Sequence, residues 1–166
     1  MTKKHINFAY GSNMSTSRLF ARLPNAELLG VGTLNAYKLT FDMLSTDGSA
    51  KCNIVPANQR EVFVHGVLYA LDDEELARLD EIEGVRYDRK TVEIVRPCGE
   101  ILIAQSYIAN TFIDTHLPFD WYVEHVLKGA QEHQFNSDYI TQISAQASQS
   151  DSNLERAARE WAIHKL

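Results

Sequence analysis

Residues 72–84 carry the marks of both ends of a helix. Asp72 precedes an apolar-periodic run and Glu75 follows three residues later, a capping-box pattern, while Gly84 supplies a C-terminal stop. The apolar stripe between these limits is Leu76, Leu79 and Ile82. At about 100° per residue Glu83 projects between Leu76 and Leu79, where the pattern calls for a leucine. It is therefore expected to point inward. An unpaired buried carboxylate is costly, so a chain that keeps one pairs it, protonates it or uses it.

This helix lies between strand-like segments, which fixes the fold class. Ile6-Asn7-Phe8-Ala9-Tyr10 reads as a strand entering a tight loop at Gly11-Ser12-Asn13, and Ser15 or Thr16 can then cap a short helix stopped by Pro24. Residues 27–44 predict two consecutive strands, Ile54-Val55-Pro56 a short edge segment, and 62–71 a strand interrupted by Gly66. Residues 91–95 and 101–108 predict a hairpin around Pro97-Cys98-Gly99. Helices follow from Trp121 to Leu127 and from Ser137 to Ile143. The order predicts an α+β fold with a mostly antiparallel or mixed sheet that can curl into a barrel.

With 166 residues, the chain suits one domain over residues 1–143. Residues 144–153 are rich in Ser and Gln and read as a flexible connector. From 154 to 166, Leu154, Ala157, Ala158, Trp161 and Ala162 predict an amphipathic helix, with Ser152 and Glu155 as its capping pair. That helix docks on its own domain or on a second copy, so the chain is a monomer or a homodimer.

A formal net charge of -6, with no Lys/Arg cluster in the sequence, argues against nucleic acid or an anionic membrane as the main partner. A small polar ligand fits better. The basic start, Met1 to His5, leads into too short an apolar run for a secretion signal, and no stretch is long enough to span a bilayer, so a cytoplasmic protein is expected. Cys52 and Cys98 have no metal-like spacing and read as two unpaired thiols.

Three features assemble into a candidate site. The loop Tyr10-Gly11-Ser12-Asn13 ends a strand just before a helix, where free backbone N–H groups favour an anion. Glu83 sits at a helix C-terminus, where carbonyl dipoles and burial both raise its pKa, the direction that suits a general acid/base. The competing reading pairs it with Arg86, Arg89 or Lys90. Tyr69, Tyr87, Tyr107 and Tyr122 fall around the same helix, as packing or as part of a pocket. Other chemistries are thinner. His125 and His133 lack helical zinc spacing, Ser12 has no nucleophile-elbow setting, and the glycines fit neither a P-loop nor a dinucleotide fingerprint, so neither metal nor cofactor is implied.

Taken together, the segments Phe8–Met14, Cys52–Pro56, His65–Tyr69, Leu79–Val85, Ser106-Tyr107 and Tyr122–Ala130 resemble the gamma-glutamylcyclotransferase-like family, in order from Ile6 to about Tyr139. The terminal helix is not covered. The resemblance implies a small mixed β-barrel with flanking helices and a metal-independent enzyme. Such an enzyme cyclises a gamma-glutamyl amine or amino acid to 5-oxoproline, with Glu83 as catalytic acid/base. The family's substrate loop falls on Asn7, Phe8, Ala9, Tyr10, Gly11 and Ser12, and a substrate-contacting tyrosine on Tyr122. Asn13, Tyr87 and Tyr107 stand behind them. Animal members carry an aromatic where this chain has Asn7, a departure at the residue expected to shape side-chain preference together with residues 44–53 and 112–122. A pocket that binds without turnover is the alternative function.

Overall fold

The computed structural model describes residues 3–164, so Met1, Thr2, Lys165 and Leu166, which the sequence reading includes in its terminal segments, lie outside the described residues. Five strands close a barrel: β1 (His5–Ala9), β2 (Glu27–Asn35), β5 (Phe63–Leu71), β6 (Tyr87–Val95) and β7 (Ile101–Ala109), in the order β1-β5-β2-β6-β7. Every pairing is antiparallel except the seam, where β1 runs parallel to β7 with Asn7 opposite Gln105. The fold is thus the α+β mixed barrel expected.

Two strands stand apart from the barrel. β3 (Tyr37–Leu44) and β4 (Ala50–Pro56) form their own two-stranded sheet, so the segment read as a short edge is a seven-residue strand. Gly66 does not interrupt β5, which continues through it because Phe8 occupies the space a side chain would need: a Cβ there would lie 2.4 Å from the Phe8 ring. The core is built on Phe8, Leu68, Leu71 and Ile94 from the strands and Leu79 from the helix that follows β5, all essentially buried.

Among the described residues five α-helices flank this frame: α1 (Thr16–Arg22), α2 (Asp73–Glu83), α3 (Asp120–Glu132), α4 (Ser137–Ser144) and α5 (Leu154–Ala162). Ser15 caps α1, its side chain accepting the Arg18 N–H. In α2, Asp72 accepts the Glu75 N–H at 2.8 Å, but the reciprocal half of the capping box is missing, since neither Glu75 carboxylate oxygen has a partner. Leu76 and Leu79 are buried as expected, whereas Ile82 is 37% exposed because the last turn of α2 emerges from the core.

The carboxyl end departs most from its sequence reading. Residues 144–153, expected to be flexible, are pinned: the Gln149 N–H donates to the Pro118 carbonyl, Asp120 N–H donates to Gln149, and buried Asp151 accepts from Trp121 Nε1 and Arg156. Helix α5 is capped by Asn153 and not by Ser152, the Asn153 side chain accepting the Arg156 N–H. It docks through polar groups, with Glu160 on Arg18 and His125, while Leu154 is 78% exposed. The desolvated ion pair, more than the apolar stripe, sets its orientation.

Candidate active site

Helix α3 comes close to the loop that follows β1, and it does so at a glycine. A Cβ on Gly129 would sit 2.6 Å from Met14 Cβ and 2.7 Å from the Ser15 nitrogen, so only glycine permits this contact. Tyr69, expected among the pocket tyrosines, braces the same loop from below, its hydroxyl donating to the Asn13 carbonyl at 2.9 Å. The loop folds as one 3-10 turn, Ser12–Met14, whose first backbone bond runs from Met14 N–H to the Gly11 carbonyl. The amides ahead of it open the turn and have no intrahelical acceptor.

The same loop borders a cavity with two adjoining chambers that share Ser12, Glu83, Tyr87 and Tyr122. The inner one, about 50 Å³, is walled by Asn7, Phe8, Ala9, Tyr10, Gly11, Ser12 and Asn13 along the chain, and by Glu83, Tyr87, Tyr107 and Tyr122 across from it. Of the site residues named from the sequence, Asn7 to Asn13, Glu83, Tyr87, Tyr107 and Tyr122 all line this chamber, Tyr69 does not, and Cys52 joins them. Ser12, Glu83, Tyr87 and Tyr122 also border the outer chamber, which measures about 450 Å³. Ser45, Thr46 and Lys51, from the region 44–53, line the outer chamber, and of residues 112–122 only Tyr122 does.

Cys52 carries no sequence signal for a site role, because it acts through its backbone. Its N–H donates to the Tyr122 hydroxyl at 3.0 Å and its carbonyl accepts from the Tyr87 hydroxyl at 2.6 Å, so one peptide segment fixes two tyrosines. Burial pushes its thiol up to about 12, which makes it a poor nucleophile. The Tyr10 hydroxyl donates to the Tyr107 carbonyl, and the Tyr107 hydroxyl donates to Asp80 Oδ1 at 2.6 Å. Burial raises the pKa of Tyr10, Tyr87, Tyr107 and Tyr122, leaving them neutral donors or acceptors. Gly11 has a reason other than ligand approach: a Cβ there would meet Cys52 Cβ at 3.0 Å and the Tyr122 hydroxyl at 3.3 Å. Asn7 donates to the Gln105 carbonyl at 3.3 Å, tying the parallel seam while lining the cavity.

Glu83 closes α2 and reaches the boundary between the chambers. Its Oε1 accepts from Asn13 Nδ2 at 3.1 Å, and Asn13 Oδ1 accepts from Arg22 Nη1 at 3.4 Å. Among the described residues no cation lies within 4 Å of it. Of the downstream candidates, Arg89 pairs with Asp80 at 2.7 Å and Arg86 donates to the Leu44 carbonyl, while Lys90 is an exposed residue of β6. Burial raises the Glu83 pKa, opposed by Arg22, Arg18, the Asn13 bond and Lys51. The arrangement sets a carboxylate of raised pKa on the same chamber as the glycine loop, a combination able to exchange a proton beside a bound anion.

Among the described residues no three His, Cys, Asp or Glu side chains are grouped as a metal site, and no helix is long and apolar enough to cross a membrane. Residues 7–124 match the family described as gamma-glutamyl cyclotransferase, AIG2-like. A Homo sapiens protein named gamma-glutamylcyclotransferase is 28% identical over 146 residues, spanning 83% of this chain and 76% of its own. An Arabidopsis thaliana AIG2-like protein C is 30% identical over 121 residues, 69% of this chain and 64% of that protein. A solved structure titled gamma-glutamyl cyclotransferase superposes with a TM-score of 0.82 at 23% identity, covering 95% of this chain and 99% of the other, and so shares the fold.

Proposed function

The chain belongs to the gamma-glutamyl cyclotransferase, AIG2-like family, and from that premise we propose that it cyclises a gamma-glutamyl compound to 5-oxoproline, with Glu83 as the acid/base. The observation that carries this reading is a cavity-facing carboxylate with no cation within 4 Å among the described residues, hydrogen-bonded only to Asn13. A structural carboxylate at that depth would be expected to have a charged partner.

The chemistry follows from the two walls. The α-nitrogen of the glutamyl group attacks its own γ-carbonyl carbon, forming one C–N bond and closing a five-membered lactam. The C–N bond to the departing amine breaks. At neutral pH the attacking ammonium gives up two protons and the departing nitrogen gains two, so the reaction is proton-neutral. One carboxylate alternating between base and acid serves both ends. Amides of the Tyr10–Ser12 segment receive a negative oxygen, the glutamyl carboxylate or the developing oxyanion. Buried tyrosines and the braced loop hold the folded-back conformer, the proximity contribution.

Incubating the protein with a panel of gamma-glutamyl amino acids and amines and measuring 5-oxoproline tests the reading. Release from at least one compound, abolished in Glu83→Gln, is the expected outcome. No product from any of them, or a fully active Glu83→Gln, overturns it.

A further inference from the structure

The two chambers differ in charge. Among the described residues no cationic side chain lines the inner chamber, whose polar lining apart from Glu83 is uncharged: Asn7, Ser12, Asn13 and the tyrosines. Among the described residues the cations that border the cavity all lie on the outer chamber: Arg18, Arg22, Lys51 and Arg86, contributed by α1, β4 and the turn after α2. In a chain of net charge -6, four cations from three separate segments around one cavity are not a solvated surface.

Two of the four are matched by carboxylates. Arg18 Nη1 meets Glu160 at 2.8 Å, and Lys51 Nζ lies 3.3 Å from Asp47. Lys51 also sits over the rings of Trp121 and Tyr122, 4.6 and 4.5 Å from their centroids, which fixes where its charge lies. Arg22 and Arg86 hold only neutral oxygens, those of Asn13 and Leu44, and neither has a carboxylate within 4 Å among the described residues. Among the described residues buried Arg18 has no partner for its Nε. Of the acidic residues on this chamber, Glu81 is exposed at the rim, and the charge of Glu83 is met by the substrate's own ammonium when a gamma-glutamyl group is bound.

The geometry points to a substrate whose departing amine is an acidic amino acid, its two carboxylates taken by the guanidinium groups of Arg22 and Arg86. This rests on the cyclotransferase reading: a glutamyl group held by the Tyr10–Ser12 segment and Glu83 occupies the inner chamber, which leaves the outer one to the departing group. Guanidinium groups favour this ligand because their planar donors bind carboxylate through paired hydrogen bonds. A departing group with one carboxylate leaves one guanidinium unmatched, and one with none leaves both.

The test compares gamma-glutamyl-glutamate with gamma-glutamyl-glutamine, which differ by one charge at nearly constant shape, and with gamma-glutamyl-butylamine, which lacks both carboxylates. At low salt, kcat/KM for 5-oxoproline release is expected to favour the glutamate compound over the glutamine one by about tenfold, and the butylamine compound to be the poorest. Raising the salt to about 0.5 M shrinks the difference. Arg22→Met or Arg86→Met reduces the acid-to-amide ratio severalfold, and Arg→Lys at either position, the check on folding, retains part of it. Equal kcat/KM for the acid and amide compounds, or a ratio unmoved by both arginine variants, overturns the proposal. If no compound turns over, calorimetry of the same pair on Glu83→Gln decides: about tenfold tighter binding of the acid keeps the anion site and condemns only the cyclotransferase reading, and equal or absent binding overturns the anion site as well.

Discussion

Glu83 lines the cavity and Glu160 binds Arg18 behind its outer chamber, and the protein treats the two carboxylates in opposite ways. Glu160 is gripped by two partners, Arg18 at 2.8 Å and His125 Nε2 at 3.1 Å. Glu83 has one neutral partner, Asn13, and a cavity. Accordingly the Glu160 pKa is lowered to about 2, where burial is outweighed by the His125 bond and Arg18, while that of Glu83 is raised by burial. A paired buried carboxylate is a fastening and an unpaired one is a reserved charge. Helix α3 serves both, with Gly129 against the loop that positions Asn13, and His125 one turn earlier holding Glu160.

The largest effect expected from breaking the contrast is on rate. Glu83→Gln keeps the shape and the Asn13 contact but cannot exchange a proton, so 5-oxoproline release should fall by about 10² to 10⁴ with thermal stability unchanged or higher. A large loss of stability would place Glu83 in the same class as Glu160. Gly129→Ala is next, because the Met14 and Ser15 backbone cannot yield as a flexible side chain would. A stability loss of about 1–3 kcal/mol together with a fall in kcat, read by denaturant titration and initial rates, is the outcome that ties α3 to the loop. Glu160→Gln should cost about 2 kcal/mol, since it leaves Arg18 buried without a counter-charge, and should spare kcat more than Glu83→Gln does.

The pH dependence of stability sharpens the same comparison, because the two ends have opposite signs. His125 is buried and neutral, its pKa drawn from 6.5 to about 4, so the unfolded chain binds the proton first and stability falls as pH drops from about 6.5 to 4. Glu160 adds a loss in the same direction, from 4.5 towards about 2. Glu83 keeps a proton that the unfolded chain releases above 4.5, so its contribution falls as pH rises through that window. In Glu83→Gln the rise of stability between pH 4 and 7 should therefore be steeper than in the parent, measured as midpoint against pH. Tyr69→Phe is the smallest change: it removes the hydroxyl that braces Asn13 and should cost about 1 kcal/mol, lowering kcat less than Gly129→Ala.

How much could be read beforehand depended on whether the signal was local. The caps of α2 and the strand, glycine loop and short helix after residue 6 are each written within a dozen residues, and with them the positions of Glu83 and of the Tyr10–Asn13 loop. Ile82 misled because periodicity says which face a residue is on and not where the helix leaves the core. Cys52 was invisible because its contribution is a peptide group, common to any side chain. The cation chamber was invisible for a different reason: Arg18, Arg22, Lys51 and Arg86 make no cluster in sequence and meet only when β4 and α2 are laid beside α1. The docking of α5 inverted a sound rule, since its apolar stripe was the clear pattern and its hydrogen-bonded Glu160 the stronger tie.

The parallel seam carries a consequence for how the molecule is made. Asn7 lies opposite Gln105, and the Phe8 carbonyl accepts from the Ser106 hydroxyl at 2.9 Å. The strand that launches the amide loop thus waits, during synthesis, for a partner nearly a hundred residues behind it. Contacts of such sequence separation pay their loop-closure entropy before they are rewarded, which slows folding and leaves the early strand's edge open to wrong partners. The strand that precedes the loop is therefore completed only once β7 is in place, and any truncation before β7 removes the pocket wholesale instead of trimming it.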